Sequence, residues 1–256
     1  RRFFHMLFKI KSYIKFLISG TSKYSIHSPF LHHFIQDVLD HGGIFYCFPA
    51  IELVRKKVSQ EKKTIKKSDL GAGSSYGNKN VIRINQVLKQ EQSSPKKAKL
   101  LFKMVNYFKP EKVLEMGTSL GFTTAYLANA RKKNEVLSVE ADKQKCKIAS
   151  ITIKSLGIKN VKIIKGRVEE TLENFLKENK NKIVFCHLDL DNYSPTKFVL
   201  QKIKPQLFPG SILLFDEFYG YQNWKDQEYR ALKETFKEDE YKYIAFGKRQ
   251  ASIEIL

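Results

Sequence analysis

Four carboxylates fall in two short clusters, Asp189-Leu190-Asp191-Asn192-Tyr193 and Asp216-Glu217-Phe218, each directly after an apolar run (183–188 and 211–215). If both runs are neighbouring parallel strands, all four acids crowd one edge. Like charges so close are costly unless a cation or a shifted pKa relieves them, and hard oxygen ligands with room for water suit Mg²⁺. A second set is Glu115-Met116-Gly117-Thr118-Ser119-Leu120-Gly121, preceded by Val113-Leu114 and followed by the helical pattern Phe122, Ala125, Tyr126, Ala128. That reads as strand, tight glycine turn, helix. Glycine lets the backbone take positive φ and approach a ligand, and the free N–H groups of the following helix face that ligand. The next apolar run, Val136-Leu137-Ser138-Val139, ends on Glu140, placed to hold two ribose hydroxyls. The pair of features predicts a nucleotide-type cofactor site.

The elements that must position these residues alternate: helix 122–130, strand 136–140, helix 142–156 ending at Gly157, strand 161–164, helix 168–178, strand 183–188, helix 195–207 and strand 211–215. Such a rhythm predicts a mostly parallel, doubly wound α/β sheet with its site at the carboxyl ends of the strands. The tail, 241–246 and 251–255, alternates like a hairpin. Upstream, Ser94-Pro95 caps a helix that runs to Phe108 and stops at Lys109-Pro110. Pro29 opens a helix through Leu39, 51–67 reads as a very basic helix, and 68–93 as a surface loop and short helix covering the substrate side. Residues 1–93 are expected to be an N-terminal helical extension and cap, and 94–256 the cofactor-binding domain.

The chain has 256 residues, 42% apolar, enough for one substantial core. The net charge of +20 invites a nucleic-acid reading, yet only eight of the 46 basic residues are arginine. Arginine is the better bidentate reader of phosphate and guanine, so a lysine-rich solvated surface is the plainer account and nucleic acid is not expected as partner. Cys47, Cys146 and Cys186 lack CxxC spacing and are odd in number, which indicates neither a disulfide framework nor a zinc site and fits a reducing cytoplasm. No apolar run approaches the ~20 residues of a membrane span. The chain opens on Arg1, as expected of a trimmed or processed chain. Residues 1–19 set Phe3, Phe4, Leu7, Phe8, Ile14, Leu17 and Ile18 against Lys9, Lys11 and Lys15. This is a basic amphipathic pattern that could lie on an anionic membrane surface, on its own domain or on a second subunit of a homo-oligomer.

The pattern Glu-x-Gly-x-Ser-x-Gly at 115–121 resembles motif I of the class I S-adenosylmethionine (SAM) methyltransferases. The resemblance implies a Rossmann-like, seven-stranded sheet and assigns SAM contacts to Glu115, Gly117, Thr118, Ser119, Gly121 and Glu140, with Asp189 at the next strand end. Gly166-Arg167 stands where the class usually has Gly-Asp or Gly-Asn, which leaves the adenine contact unassigned. Asp-x-Asp-x-Tyr followed by Pro-Gly, an apolar strand and an acidic pair is similar to the macrocin-type sugar O-methyltransferases. That likeness makes Asp189, Asp216 and Glu217 ligands of a divalent metal and Asp191 the general base, with Glu217 replacing the commoner Asp. His27-Ser28-Pro29-Phe30 resembles a segment of an uncharacterised bacterial SAM methyltransferase group.

The function expected on these grounds is metal-assisted O-methylation of a small hydroxylated acceptor, a sugar or a phenol. The alternatives are an RNA methyltransferase, for which Asp189-Leu190-Asp191-Asn192 is the wrong strand-end motif, and a non-catalytic SAM-fold binding protein. Asp69-Leu70-Gly71-Ala72-Gly73 matches a SAM motif as text, but the lysine-rich stretch before it is no buried strand and no acid-ended strand follows. His187 offers a poor substitute for Asp191, since strand alternation does not clearly turn it into the pocket.

Overall fold

A computed structural model describes residues 28–66, 81–178, 185–247 and 249–256. The amphipathic pattern of 1–19, His27 and the glycine-rich 69–75 lie outside the described residues.

In chain order the described elements are helix α1 (Pro29–Phe34), a π-helical turn (Ile35–Leu39), α2 (Cys47–Ser59), β1 (Thr64–Lys66), β2 (Val81–Arg83), α3 (Ile84–Gln90) and α4 (Pro95–Phe108). Then follow β3 (Lys112–Met116), α5 (Phe122–Asn129), β4 (Glu135–Glu140), α6 (Lys143–Ser155), β5 (Val161–Lys165), α7 (Val168–Glu178), β6 (Phe185–Leu188) and α8 (Tyr193–Ile203). The chain closes with β7 (Ile212–Phe215), α9 (Glu228–Thr235), β8 (Tyr241–Phe246) and β9 (Ala251–Ile255). The basic helix expected over 51–67 starts earlier and ends at Ser59. Thr64–Lys66 is instead a strand, pairing antiparallel with Val81–Arg83 through Ile65 and Ile82. Alternation at 64–66 buries only Ile65, too short a period-2 signal to read against a lysine run.

The main sheet has the order β5-β4-β3-β6-β7-β9-β8. Strands β5, β4, β3, β6 and β7 run parallel, and β9 and β8 add the antiparallel hairpin at one end. This is the Rossmann-like sheet expected. β3 pairs with β4 on one side and β6 on the other, so the strand order reverses there and a crevice opens at their carboxyl ends. Both faces are covered. Val113, Phe185, Ile212 and Leu214 pack with α4, α5 and the upstream residues Phe34, Phe48 and Ile51. Leu114, Met116, Cys186, Leu188, Leu213 and Phe215 pack against α7, α8 and α9. Strands buried on both faces explain the unbroken apolar runs that precede the acids.

Caps set the helix starts that matter. Ser94 Oγ accepts the Lys97 N–H with Pro95 at the first turn of α4, and Lys109 ends that helix in a left-handed conformation (φ 52°). Asp142 accepts from the N–H groups of Gln144 (2.7 Å) and Lys145 (3.1 Å), fixing α6 just past Glu140. No described helix is long and apolar enough to cross a membrane.

Candidate active site

The glycine turn sits at the β3 end of the crevice. Gly117 has φ 105°, and a Cβ there would collide with the carbonyl oxygen of Asp189. The close approach that demands glycine is therefore made by the chain's own β6 end. Gly121 (φ 82°) begins α5, where a Cβ would press on Ala149 of α6 at 3.1 Å. Ser119 carries a left-handed φ of 47°, and its N–H donates to Glu140 Oε2 at 2.8 Å, while the Asp142 N–H donates to Oε1 at 2.8 Å. Glu140 is thus held by two backbone donors, with burial pushing its pKa up against them. Ser119 Oγ is buried with no hydrogen-bond partner. An orphaned hydroxyl beside an oriented carboxylate is a donor set that fits the polar groups of SAM.

Glu115 and Thr118 do not open onto the crevice: both are fully buried. Glu115 Oε2 accepts from Thr124 Oγ1 (2.5 Å) and Ser138 Oγ (2.6 Å), and Thr118 Oγ1 lies 2.5 Å from Ser138 Oγ. These two support the turn from beneath, tying β3 to β4 and α5.

In the sheet register Glu115 faces Ser138 on β4 and His187 on β6. His187 is fully buried, its Nδ1 3.8 Å from Glu115 Oε1 and its Nε2 3.8 Å from Asp216 Oδ1. Both separations exceed a hydrogen bond, and neither ring nitrogen has a hydrogen-bond partner. Burial alone would draw the imidazolium down, but Asp216, Glu115 and Asp189 overcome it and push the pKa up to about 10. Alternation along β6 does turn His187 towards the acids, because residues 185 and 187 share the face that α4 covers.

At the strand ends Asp189 is half-buried and Asp191 is exposed. Burial followed by the neighbouring Asp216 and Asp191 raises Asp189 well above the carboxylate range. Burial, Glu217 and Asp216 raise Asp191 to about 6. Asp191 also has a left-handed backbone, φ 56°. Asp216 is held below the usual range: His187 and Lys97 outweigh its own burial. Its Oδ2 accepts from Lys97 Nζ at 2.8 Å and its Oδ1 from Ser93 Oγ at 3.3 Å and from Gln250 Nε2. Glu217 Oε2 accepts from Arg249 at 3.0 Å. Behind them Glu228 is fully buried, accepts the Glu217 N–H at 3.2 Å, leaves Oε1 without a partner, and is pushed well above its usual pKa by burial, Asp191 and Asp216.

Of the three acids named as metal ligands, Asp189 and Asp216 come together, and with His187 their ligand atoms lie within 4.8 Å of one another. Glu217 does not join them, since Arg249 holds it. Both Asp216 oxygens are engaged by donors. The set Asp189, Asp216 and Glu217 therefore does not fit a divalent ion as arranged, and no step is assigned to one. Sequence reasoning missed Gln92, Ser93, Lys97, Glu228, Arg249 and Gln250, and set His187 aside on its uncertain orientation. Lys97 carried only a weak signal: a lysine in the first turn of a capped helix opposes the helix dipole, but Lys96 stands in the same turn and is exposed.

The neighbouring loop adds aromatics. The Tyr221 hydroxyl donates to the Glu217 carbonyl at 2.9 Å, Arg249 lies over the Tyr221 ring, and Trp224 packs edge-on against Tyr229.

Residues 114–218 match the family model described as "Methyltransferase domain". Over 133 residues the chain is 31% identical to the protein-L-isoaspartate O-methyltransferase of Thermosipho melanesiensis, a match to half of this chain; the chain covers 63% of that relative's length. Among solved structures it resembles an O-methyltransferase of Bacillus cereus in complex with SAH (TM-score 0.59, 16% identity, 88% of this chain and 96% of that one). It also resembles CalS11, the TDP-rhamnose 3'-O-methyltransferase of calicheamicin biosynthesis (TM-score 0.55, 17% identity, 86% and 99%). Residues 114–218, which hold the glycine turn and the strand-end acids at the switch point of this sheet, thus match a methyltransferase domain.

Proposed function

We propose that the chain transfers the methyl group of SAM to a hydroxyl oxygen of a small acceptor, with Asp191 as the general base. The observation that carries this reading is the position of Asp191. It lies two residues beyond Asp189, whose carbonyl packs on the glycine turn, in a left-handed conformation that costs free energy, exposed at that strand end. Strain kept at such a place is the mark of a side chain aimed for use. In the reaction the hydroxyl oxygen attacks the methyl carbon in line with the sulfonium, the carbon–sulfur bond breaks towards sulfur, and the hydroxyl proton passes to Asp191. Glu140 and Ser119 orient the cofactor, and Glu115 and Thr118 hold the turn that carries Ser119.

The tyrosine and tryptophan of 219–224 border the acids, which suits a planar or sugar acceptor, and CalS11 acts on a nucleotide sugar by its name. Three buried, unpaired cysteines agree with a reducing, cytoplasmic setting. The test is calorimetry with SAM, followed by methyl transfer to a panel of catechols and nucleotide sugars. SAM affinity together with transfer to an oxygen acceptor supports the reading, and an absence of SAM binding rejects it.

A further inference from the structure

Several carboxylates at two neighbouring strand ends need cations, and beside His187 and Arg249 the chain supplies Lys97. Lys97 enters from the first turn of α4 and places Nζ 2.8 Å from Asp216 Oδ2, a partner 119 residues away, with only 20% of its side chain exposed. The same ammonium acts electrostatically on Glu217, Asp189 and Asp191. Two further observations indicate a built position. First, of the two lysines in the first turn of α4, where the helix dipole disfavours a cation, Lys96 is exposed while Lys97 is turned against the acids. Second, Ser93, Gln250 and Lys97 together engage both Asp216 oxygens, and Arg249 engages Glu217, so the carboxylates that would ligate an ion are already shared among fixed donors.

We propose that Lys97 is the resident cation of this site, standing where a divalent ion would otherwise sit and presenting its ammonium to the acceptor oxygen. The inference rests on the reading of the cleft as a place of O-methyl transfer. One N–H of the ammonium is spent on Asp216, and the others are free to meet the hydroxyl as it loses its proton to Asp191. No co-reactant besides SAM and the acceptor is required: the oxygen–carbon bond forms as the carbon–sulfur bond breaks, and Lys97 keeps its proton throughout.

The test uses Mn²⁺ alone as probe, followed by the paramagnetic signal of the free ion, on the full chain. Wild type and Lys97→Arg should bind no Mn²⁺ below about 1 mM, the weak end for carboxylate-held ions. Lys97→Met keeps the length of the side chain and removes the charge. It should bind one Mn²⁺ per chain at least about tenfold more tightly, and adding Asp216→Asn should abolish that gain. Wild type binding Mn²⁺ as tightly as Lys97→Met overturns the proposal, and so does a folded Lys97→Met with no gain. If Lys97→Met does not fold, wild type and Lys97→Arg decide: tight binding by both overturns the proposal, and its absence upholds it. The readout involves neither SAM nor acceptor, so SAM calorimetry on the same samples separates a failure of the cofactor reading from a failure of this one.

Discussion

Glu115 and His187 are register partners on adjacent parallel strands, fully buried, with 3.8 Å between carboxylate and ring nitrogen. A cation held there is stabilising only while it stays charged. The pKa of His187 is raised in the folded chain to about 10 from an ordinary 6.5. The stabilisation is therefore complete below the unfolded value and is lost as pH rises through the folded one, at up to about 1.4 kcal/mol per pH unit in between. Thermal unfolding followed from pH 6 to 10 should show a falling midpoint in wild type. In His187→Asn the curve should start lower and be flatter, and an unchanged slope would place the charge elsewhere.

The cofactor half is tested by Glu140→Ala. Loss of a carboxylate held by two backbone N–H groups should weaken SAM by about 1–3 kcal/mol with the fold intact. Gly117→Val should behave otherwise, because its Cβ meets the Asp189 carbonyl and its φ of 105° is poor for any side chain. Both stability and SAM binding should drop. Equal SAM affinity in wild type and Glu140→Ala would remove Glu140 from the site.

For the base, Asp191→Asn should bind SAM as wild type does while turnover falls by about 10²–10⁴-fold. Asp191→Gly carries a second expectation: φ 56° suits glycine, so stability should hold or rise by up to about 1 kcal/mol as turnover disappears. Stability gained where activity is lost marks strain maintained for chemistry. Wild-type turnover in Asp191→Asn would move the base to another group.

Gln92 is buried and serves both sides of the glycine turn, accepting from the Leu120 N–H at 3.2 Å and donating to Thr123 Oγ1 at 2.8 Å. Gln92→Ala should cost about 1–3 kcal/mol of stability, the penalty of unpaired buried polar groups, and reduce SAM affinity as well. Chemical denaturation and calorimetry on the one variant check both. A loss of stability with SAM affinity intact would confine Gln92 to packing.

What could be read from sequence follows the reach of each interaction. The glycine turn, Glu140, the strand-end acids and the closing hairpin are local patterns whose periodicity and turn chemistry announce themselves. The sheet order then places them in one crevice. Lys97, Ser93 and Gln92 act across separations of 119, 123 and 28 to 31 residues, fixed only when α4 packs on the sheet. Glu115 was visible as a motif residue, but whether an acid in that place faces a ligand or the interior depends on Thr124 and Ser138 closing over it. Glu217 illustrates the converse: its place in the cluster is legible, while Arg249, which claims its carboxylate, comes from the far end of the chain.

The run from Glu91 to Lys97 touches both the glycine turn and the strand-end acid Asp216. Glu91 pairs with Lys145 beyond Glu140 at 2.5 Å, Gln92 grips the glycine turn, and Ser93 and Lys97 grip Asp216. A single short stretch of backbone thus bridges the glycine turn and the strand-end acids. A ligand that shifted this stretch from one side would, by thermodynamic reciprocity, be felt from the other by the same factor. Under the proposed function, coupling between cofactor and acceptor beyond their direct contact would run through Gln92 and Lys97, in the stretch that leads into α4.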